Sequence, residues 1–274
     1  MRVKVFALLS AAVLFVLAAV PASASVEGHT YLALGDSVAF GYNPLLVLGG
    51  FAGDPTKFVG YPEIAANTLG MQDVNASCPG ETSGGFISLT NGQDYRCLAY
   101  RFFYSFPLHV GYTTSQLDYT LAYLSAHPDV RLITMDIGAN DAFKAGCTPT
   151  DCPNSVLARV DANLRFIYSQ IRNVAHYRYA LVTLTYYSTD YHSAAAGGTQ
   201  RLNARLIAAT KAFGGTVASG FDAFQGPALA AGGSSCAAGL LIVTQLSPLK
   251  CDVHPTPLGQ DLLAAAVVKA VEGD

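Results

Sequence analysis

Five residues of this chain stand beside the ends of apolar runs or at the edge of a helical segment. They are Ser37 in Gly35-Asp36-Ser37, Gly80 in Cys78-Pro79-Gly80, Asn140 in Gly138-Ala139-Asn140-Asp141, and the pair Asp252 and His254 ahead of the last helical segment. Acyl transfer to a serine needs a base to take the hydroxyl proton. Histidine suits that task because it titrates near neutrality, and a carboxylate commonly holds its tautomer. The tetrahedral intermediate then needs donors aimed at its oxygen. Ser37, His254, Asp252, the Gly80 N–H and the Asn140 amide supply those parts. Singly, each has an ordinary reading: Ser and Asp cap helices, Asn and Gly form turns, and a histidine beside a cysteine is an unremarkable surface residue.

The elements around these residues alternate. TYLALGD (30–36) reads as a buried strand, and YPEIAANTLG (61–70) as a helix with a glycine stop. DVNAS (73–77) is a weak second strand, and DVRLITMDIGAND (129–141) is a strand running into a turn. RYALVTLTYY (178–187) is the clearest strand, and GTVASGFDAF (215–224) reads as the last strand and its exit. Helical spacing of apolar residues marks 113–128, 154–175, 200–213 and 255–271. A Gly/Ala-rich, cysteine-bracketed insertion covers 226–251. Strands alternating with helices predict an α/β chain whose parallel sheet is covered on both faces. Ligands of such sheets bind beyond the carboxyl ends of the strands, where Ser37, Gly80 and Asn140 fall.

The first 24 residues combine a basic start, an uncharged apolar stretch and Ala22-Ser23-Ala24, the pattern of a signal peptide cut after Ala24. A membrane anchor is the rival reading, but the apolar run is short for a full span. The expected product is therefore secreted, with no stable membrane anchor, as one domain over residues 25–274. Arg2 and Lys4 leave with the leader, so 14 basic side chains face 19 acidic ones, a net charge of −5. A mildly acidic chain without a basic run offers no footprint for nucleic acid. The sequence is silent on oligomeric state, and a monomer is the default expectation.

Six cysteines remain, an even number in an oxidising compartment, which predicts three disulfides. Pairing 78–97, 147–152 and 236–251 closes short loops and leaves the parallel core alone. Zinc is the competing use of clustered cysteines, but no Cys-x2-Cys, His-x3-His or His-Glu-x2-His spacing occurs, so no metal is expected. Neither a Gly-x-Ser-x-Gly elbow nor a glycine-rich nucleotide fingerprint is present.

In these blocks, taken in order, the chain resembles the SGNH hydrolases, also called the GDSL esterase/lipase family. Gly35-Asp36-Ser37 is similar to the first block, whose serine is the nucleophile. Gly80 falls where the loose second block places an oxyanion glycine. Gly138-Ala139-Asn140-Asp141 is similar to the third, whose asparagine donates to the oxyanion, and Asp252-Val253-His254-Pro255-Thr256 to the last, whose histidine is the base. The family's usual acid lies three residues before the histidine, where this chain has Cys251; the nearest acid is Asp252. Either Asp252 orients His254, or the Cys251 carbonyl does, as in some secreted members.

The resemblance implies a three-layer α/β/α sandwich with a five-stranded parallel sheet, flavodoxin-like, and a cofactor-free reaction through an acyl-enzyme on Ser37. It implies that Asp36 supports the turn around Ser37 and that Asp141 braces the loop carrying Asn140. The expected activity is that of an esterase or lipase on a small-molecule or lipid ester. A carbohydrate acetyl esterase and a non-catalytic secreted binding protein are the alternatives. The aromatic segment 100–112 either lines an acyl pocket, covers it, or seals a large loop onto the body. The tract YYSTDYH (186–192) should reach the same rim.

Overall fold

The computed structural model describes residues 28–90, 96–148 and 150–273. The expected leader, 1–24, and its cut after Ala24 lie outside them.

TYLALG becomes β1 (Thr30–Gly35), buried along its whole length. β2 (Gln72–Asn75) pairs on one side of it and β3 (Val130–Asp136) on the other. β4 (Ala180–Leu184) and β5 (Thr216–Ala218) extend the sheet beyond β3, so the order is β2-β1-β3-β4-β5 with every pair parallel. Unbroken apolar runs fit this sheet because both of its faces are covered. Leu32, Leu34, Leu132, Ile133 and Met135 are essentially inaccessible. Burying each such side chain contributes roughly 1.5–3 kcal/mol, so β1 and β3 cannot slip in register cheaply. The strand order reverses between β1 and β3, which opens a crevice at their carboxyl ends.

The helices are α1 (Pro44–Leu48), α2 (Tyr61–Leu69), α3 (Ser83–Ile87), α4 (Gln116–Ala126), α5 (Ala139–Lys144), α6 (Asn154–Ser169), α7 (Ala194–Ala212), α8 (Gly220–Ala230) and α9 (Pro257–Glu272). α2 and α8 pack on α9, whereas α3 packs on α4 and α6, and α6 on α7. These two groups are the outer layers of a three-layer α/β/α fold with a five-stranded parallel sheet. α2 ends as the sequence predicts, at Gly70 in the left-handed region. Of the helix expected over 154–175, α6 covers 154–169 and passes into a wider π-type turn over Gln170–Val174.

Three expectations need correction. The stretch 215–224, expected as the last strand and its exit, holds a strand over Thr216–Ala218 that is the last of the parallel sheet but not of the chain; Ser219 then caps α8 by accepting from the Asp222 N–H. α7 begins at Ala194 rather than 200, because Ser193 caps it and the helix runs through Gly197 and Gly198. The insertion expected over 226–251, left without elements of its own by the sequence, is ordered into elements. It holds the end of α8 and then an antiparallel ribbon of β6 (Leu241–Leu246) and β7 (Leu249–Pro255). His254 therefore lies on a strand as well as just ahead of α9.

The disulfides are Cys78–Cys97, Cys147–Cys152 and Cys236–Cys251, the pairing expected from loop length. The aromatic segment divides. Phe106 and Leu108 join Phe40, Phe58 and the Cys78–Cys97 bridge in a second apolar core, which seals the loop. The Arg101 guanidinium stacks 4.2 Å from the Tyr112 ring centre and donates to the Thr114 carbonyl. Tyr100 turns into a cavity, while Phe102, Phe103 and Tyr104 are exposed.

Candidate active site

Ser37 follows β1 in a tight turn. That turn requires glycine ahead of it, because Gly35 has φ +136° and a Cβ there would lie 2.3 Å from the Asp136 carbonyl oxygen. Gln116 of α4 clamps the Gly35 peptide, accepting from its N–H at 2.6 Å and donating to its carbonyl at 3.1 Å. Asp36 Oδ1 accepts from the Val38 N–H at 2.9 Å, and Gln260 of α9 donates to the Val38 carbonyl at 3.2 Å. The Ser37 turn is thus held from three sides.

His254 Nε2 lies 2.9 Å from Ser37 Oγ. Its Nδ1 is hydrogen-bonded to Asp252 Oδ1, which also accepts from the His254 backbone N–H at 3.1 Å. Of the two partners left open by the sequence, the carboxylate is the one that meets the ring. Burial pushes the Asp252 carboxyl up, but the hydrogen bond and charge of His254 outweigh it and hold the group below its usual range. The Tyr42 ring packs 4.8 Å from the imidazole, and the Tyr187 hydroxyl donates to the Val253 carbonyl at 2.6 Å.

Asn140, on the first turn of α5, points back toward Ser37. Its Nδ2 donates to the Glu81 carbonyl at 3.0 Å and to Asp36 Oδ2 at 3.3 Å. Asp141 accepts from both the N–H and the hydroxyl of Ser83 at 2.8 Å, so it braces the Asn140 turn against the segment that follows Gly80. Gly80 has φ +78°, and a Cβ there would lie 2.4 Å from the Arg96 Cβ. The backbone N–H groups of Ser37 and Gly80 find no acceptor among the described residues, and both residues line the cavity.

Two buried carboxyls lie beneath the turn. Asp36 has three donors: Tyr186 at 2.6 Å, the Val38 N–H and Asn140. Asp136 Oδ1 accepts from the Tyr61 hydroxyl at 3.0 Å, and its other oxygen is without a close donor among the described residues. Burial, and then the charge of Asp36, push Asp136 well above the carboxylate range. Burial also raises Asp36, against the hydrogen bonds from Tyr186 and Val38. The pair is therefore read as one charge, carried by Asp36, which has more hydrogen-bond donors.

Over these groups opens a cavity of about 640 Å³. Val38, Tyr42, Tyr100, Phe143, Leu157 and Tyr187 give it largely apolar walls, and Arg96 and Arg201 lie at its lining. The five residues singled out in the sequence, Ser37, Gly80, Asn140, Asp252 and His254, all line it. Tyr186 and Gln116 were missed. Tyr186 stands in the tract expected at the rim, so a signal for it existed; Gln116 sits inside an ordinary amphipathic helix and had none. One set of metal-type side chains occurs among the described residues, Cys78, Glu81 and Cys97, but its sulfurs are joined in a disulfide and offer no thiolate.

The fold is shared with solved ester hydrolases. A variant of an acetyl-xylooligosaccharide esterase from Geobacillus stearothermophilus superimposes with a TM-score of 0.54 at 15% identity, covering 91% of this chain and 97% of that one. Phospholipase A1 from Streptomyces albidoflavus NA297 gives 0.54 at 19% identity, over 89% and 99%. LAE5, an alpha/beta hydrolase enzyme from the metagenome of Lake Arreo, Spain, gives 0.53 at 15%, over 90% and 96%. No curated protein matches the sequence significantly. The chain belongs to the GDSL-like lipase/acylhydrolase family, whose profile matches residues 33–262, and it is an ester-hydrolysing enzyme.

Proposed function

We propose that the chain is a secreted carboxylic ester hydrolase whose nucleophile is Ser37, acting on esters with apolar acyl groups. The 2.9 Å approach of His254 Nε2 to Ser37 Oγ carries this reading. Ser37 Oγ attacks the ester carbonyl and its proton passes to His254 Nε2. The carbonyl oxygen takes the negative charge, facing the N–H groups of Ser37 and Gly80 and the Asn140 amide. Collapse breaks the bond to the alcohol, which leaves with the proton from His254. Water repeats the sequence and frees the acid. Asp252 stabilises the imidazolium that forms in each step. The apolar cavity walls support the acyl preference. The leader pattern and three disulfides support export.

A second reading is a carbohydrate acetyl esterase. The comparisons favour it over the first, because several of the similar structures are variants of an acetyl-xylan or acetyl-xylooligosaccharide esterase. Hydrolysis of nitrophenyl esters from acetyl to palmitoyl, alongside an acetylated xylooligosaccharide, separates the two. Preference for chains longer than acetyl supports the first reading; turnover confined to acetyl groups and highest on the oligosaccharide supports the second. Ser37→Ala should lower every one of these rates by about 10⁴-fold or more. A variant that keeps wild-type rates refutes the nucleophile.

A further inference from the structure

Asn140 Nδ2 carries two hydrogens, and in this structure it has two acceptors, the Glu81 carbonyl and Asp36 Oδ2. A donor so occupied has nothing left for an oxyanion. It must release one partner as charge builds on the substrate oxygen. The 3.3 Å contact to Asp36 is the longer of the two, so it is the one to yield. Releasing it would leave a buried carboxylate short of a donor, which is costly. Tyr186 removes that cost. Its hydroxyl donates at 2.6 Å to the same oxygen, Oδ2, and so keeps it satisfied after Asn140 turns away.

Tyr186 is held rigidly for this task. Asn203 of α7 accepts from its backbone N–H at 3.0 Å and donates to its carbonyl at 2.7 Å. Its side chain is buried at the cavity floor. Resting on Ser37 as nucleophile, we propose that Tyr186 is a positioning residue for the oxyanion donor: by holding Asp36 Oδ2, it lets Asn140 exchange Asp36 for the substrate oxygen. The exchange moves a hydrogen bond and forms no new covalent link.

Tyr186→Phe removes the hydroxyl and keeps the ring. For a nitrophenyl ester, kcat should fall roughly tenfold, the size of one charge-assisted hydrogen bond, with KM unchanged. Affinity for an alkylboronic acid, which adds to the serine as a tetrahedral anion, should fall by the same factor. In an Asn140→Ala background the further change Tyr186→Phe should have little effect, because the donor it serves is gone. If Tyr186→Phe does not fold, the wild type still answers. On boronate binding, one side-chain amide proton of Asn140 should shift in the NMR spectrum, and the one on the Glu81 carbonyl should not.

Unchanged kcat in Tyr186→Phe, full additivity with Asn140→Ala, or two unmoved amide protons each overturn the proposal. A fluorophosphonate probe read by peptide mass distinguishes the deeper failure. Labelling at Ser37 with any of those outcomes sinks this inference alone; no labelling of Ser37 in the folded wild type sinks the reading beneath it.

Discussion

Ser37 and Asn140 on one hand, and Asp252 and His254 on the other, meet in one cavity, but they are held by different physics. Ser37 and Asn140 follow β1 and β3, two adjacent central strands buried between helical layers. Their immediate supports, Asp36 and Asp136, are each 1% exposed. Asp252 and His254 lie on β7, outside the sheet, in a two-stranded ribbon most of whose side chains are half-buried or exposed. A ribbon of two strands is marginal alone. This one is tethered by Cys236–Cys251 at its root, by Tyr187 on the Val253 carbonyl, and by the Leu240 carbonyl accepting from Thr256. Losing the position of Ser37, the proposed nucleophile, therefore means unfolding the sheet, whereas His254, the proposed base, can be displaced while the sheet stands.

Among the changes that test this contrast, the largest effect should come from the ribbon's carboxylate. Asp252→Asn should lower kcat by about 10³- to 10⁴-fold, as expected when a base loses the partner that sets its tautomer. If the Cys251 carbonyl does that work instead, steady-state rates of the variant will match wild type. Next comes the tether. Replacing Cys236 and Cys251 together by Ala should cost roughly 10²-fold in kcat, the scale of a misplaced catalytic group, with the far-UV circular dichroism unchanged. Loss of the dichroism together with activity would show that ribbon and sheet fold as one unit, and the contrast drawn above would fail.

The smallest effect tests the sheet side by itself. Asp73, on edge strand β2, is pushed up to about 8 by burial and then by the charge of Glu63. In the unfolded chain it titrates near 3.9. Below that value both states are protonated and nothing is lost. As pH rises from about 4 to about 8 the unfolded state ionises first, so stability drains away across that window and then levels off. Asp73→Asn should thus leave Tm nearly unchanged at pH 4 and raise it by several degrees at pH 8, without altering hydrolysis. A rise of equal size at both pH values would mean that the carboxyl is not the cause.

The same division decided what could be read beforehand. Gly35-Asp36-Ser37 and Gly138–Asp141 were legible because an apolar run, buried on both faces, announces its own end. Gly80 was placed only by a loose match, since β2 is short and half-exposed. The ribbon went unread although signals for it existed: the apolar run Leu240–Val243 and the alternation over Leu249–His254 sit among Gly, Ser and Pro in a short cysteine-bracketed stretch that reads as an insertion. α8 was lost for a related reason: Gly226 and Pro227 sit inside it and read as a break.

Local pattern by itself determined the alternating strands and helices, the short-range disulfides and the choice of candidate reacting side chains, because each depends on residues close in sequence. Only the tertiary structure decided which group meets His254 Nδ1, that Tyr186 reaches Asp36 across 150 positions, and that Asp136 lies beneath the nucleophile's turn. Those contacts join separate elements, and their geometry exists only once the sheet order and the ribbon's tether have brought the elements together.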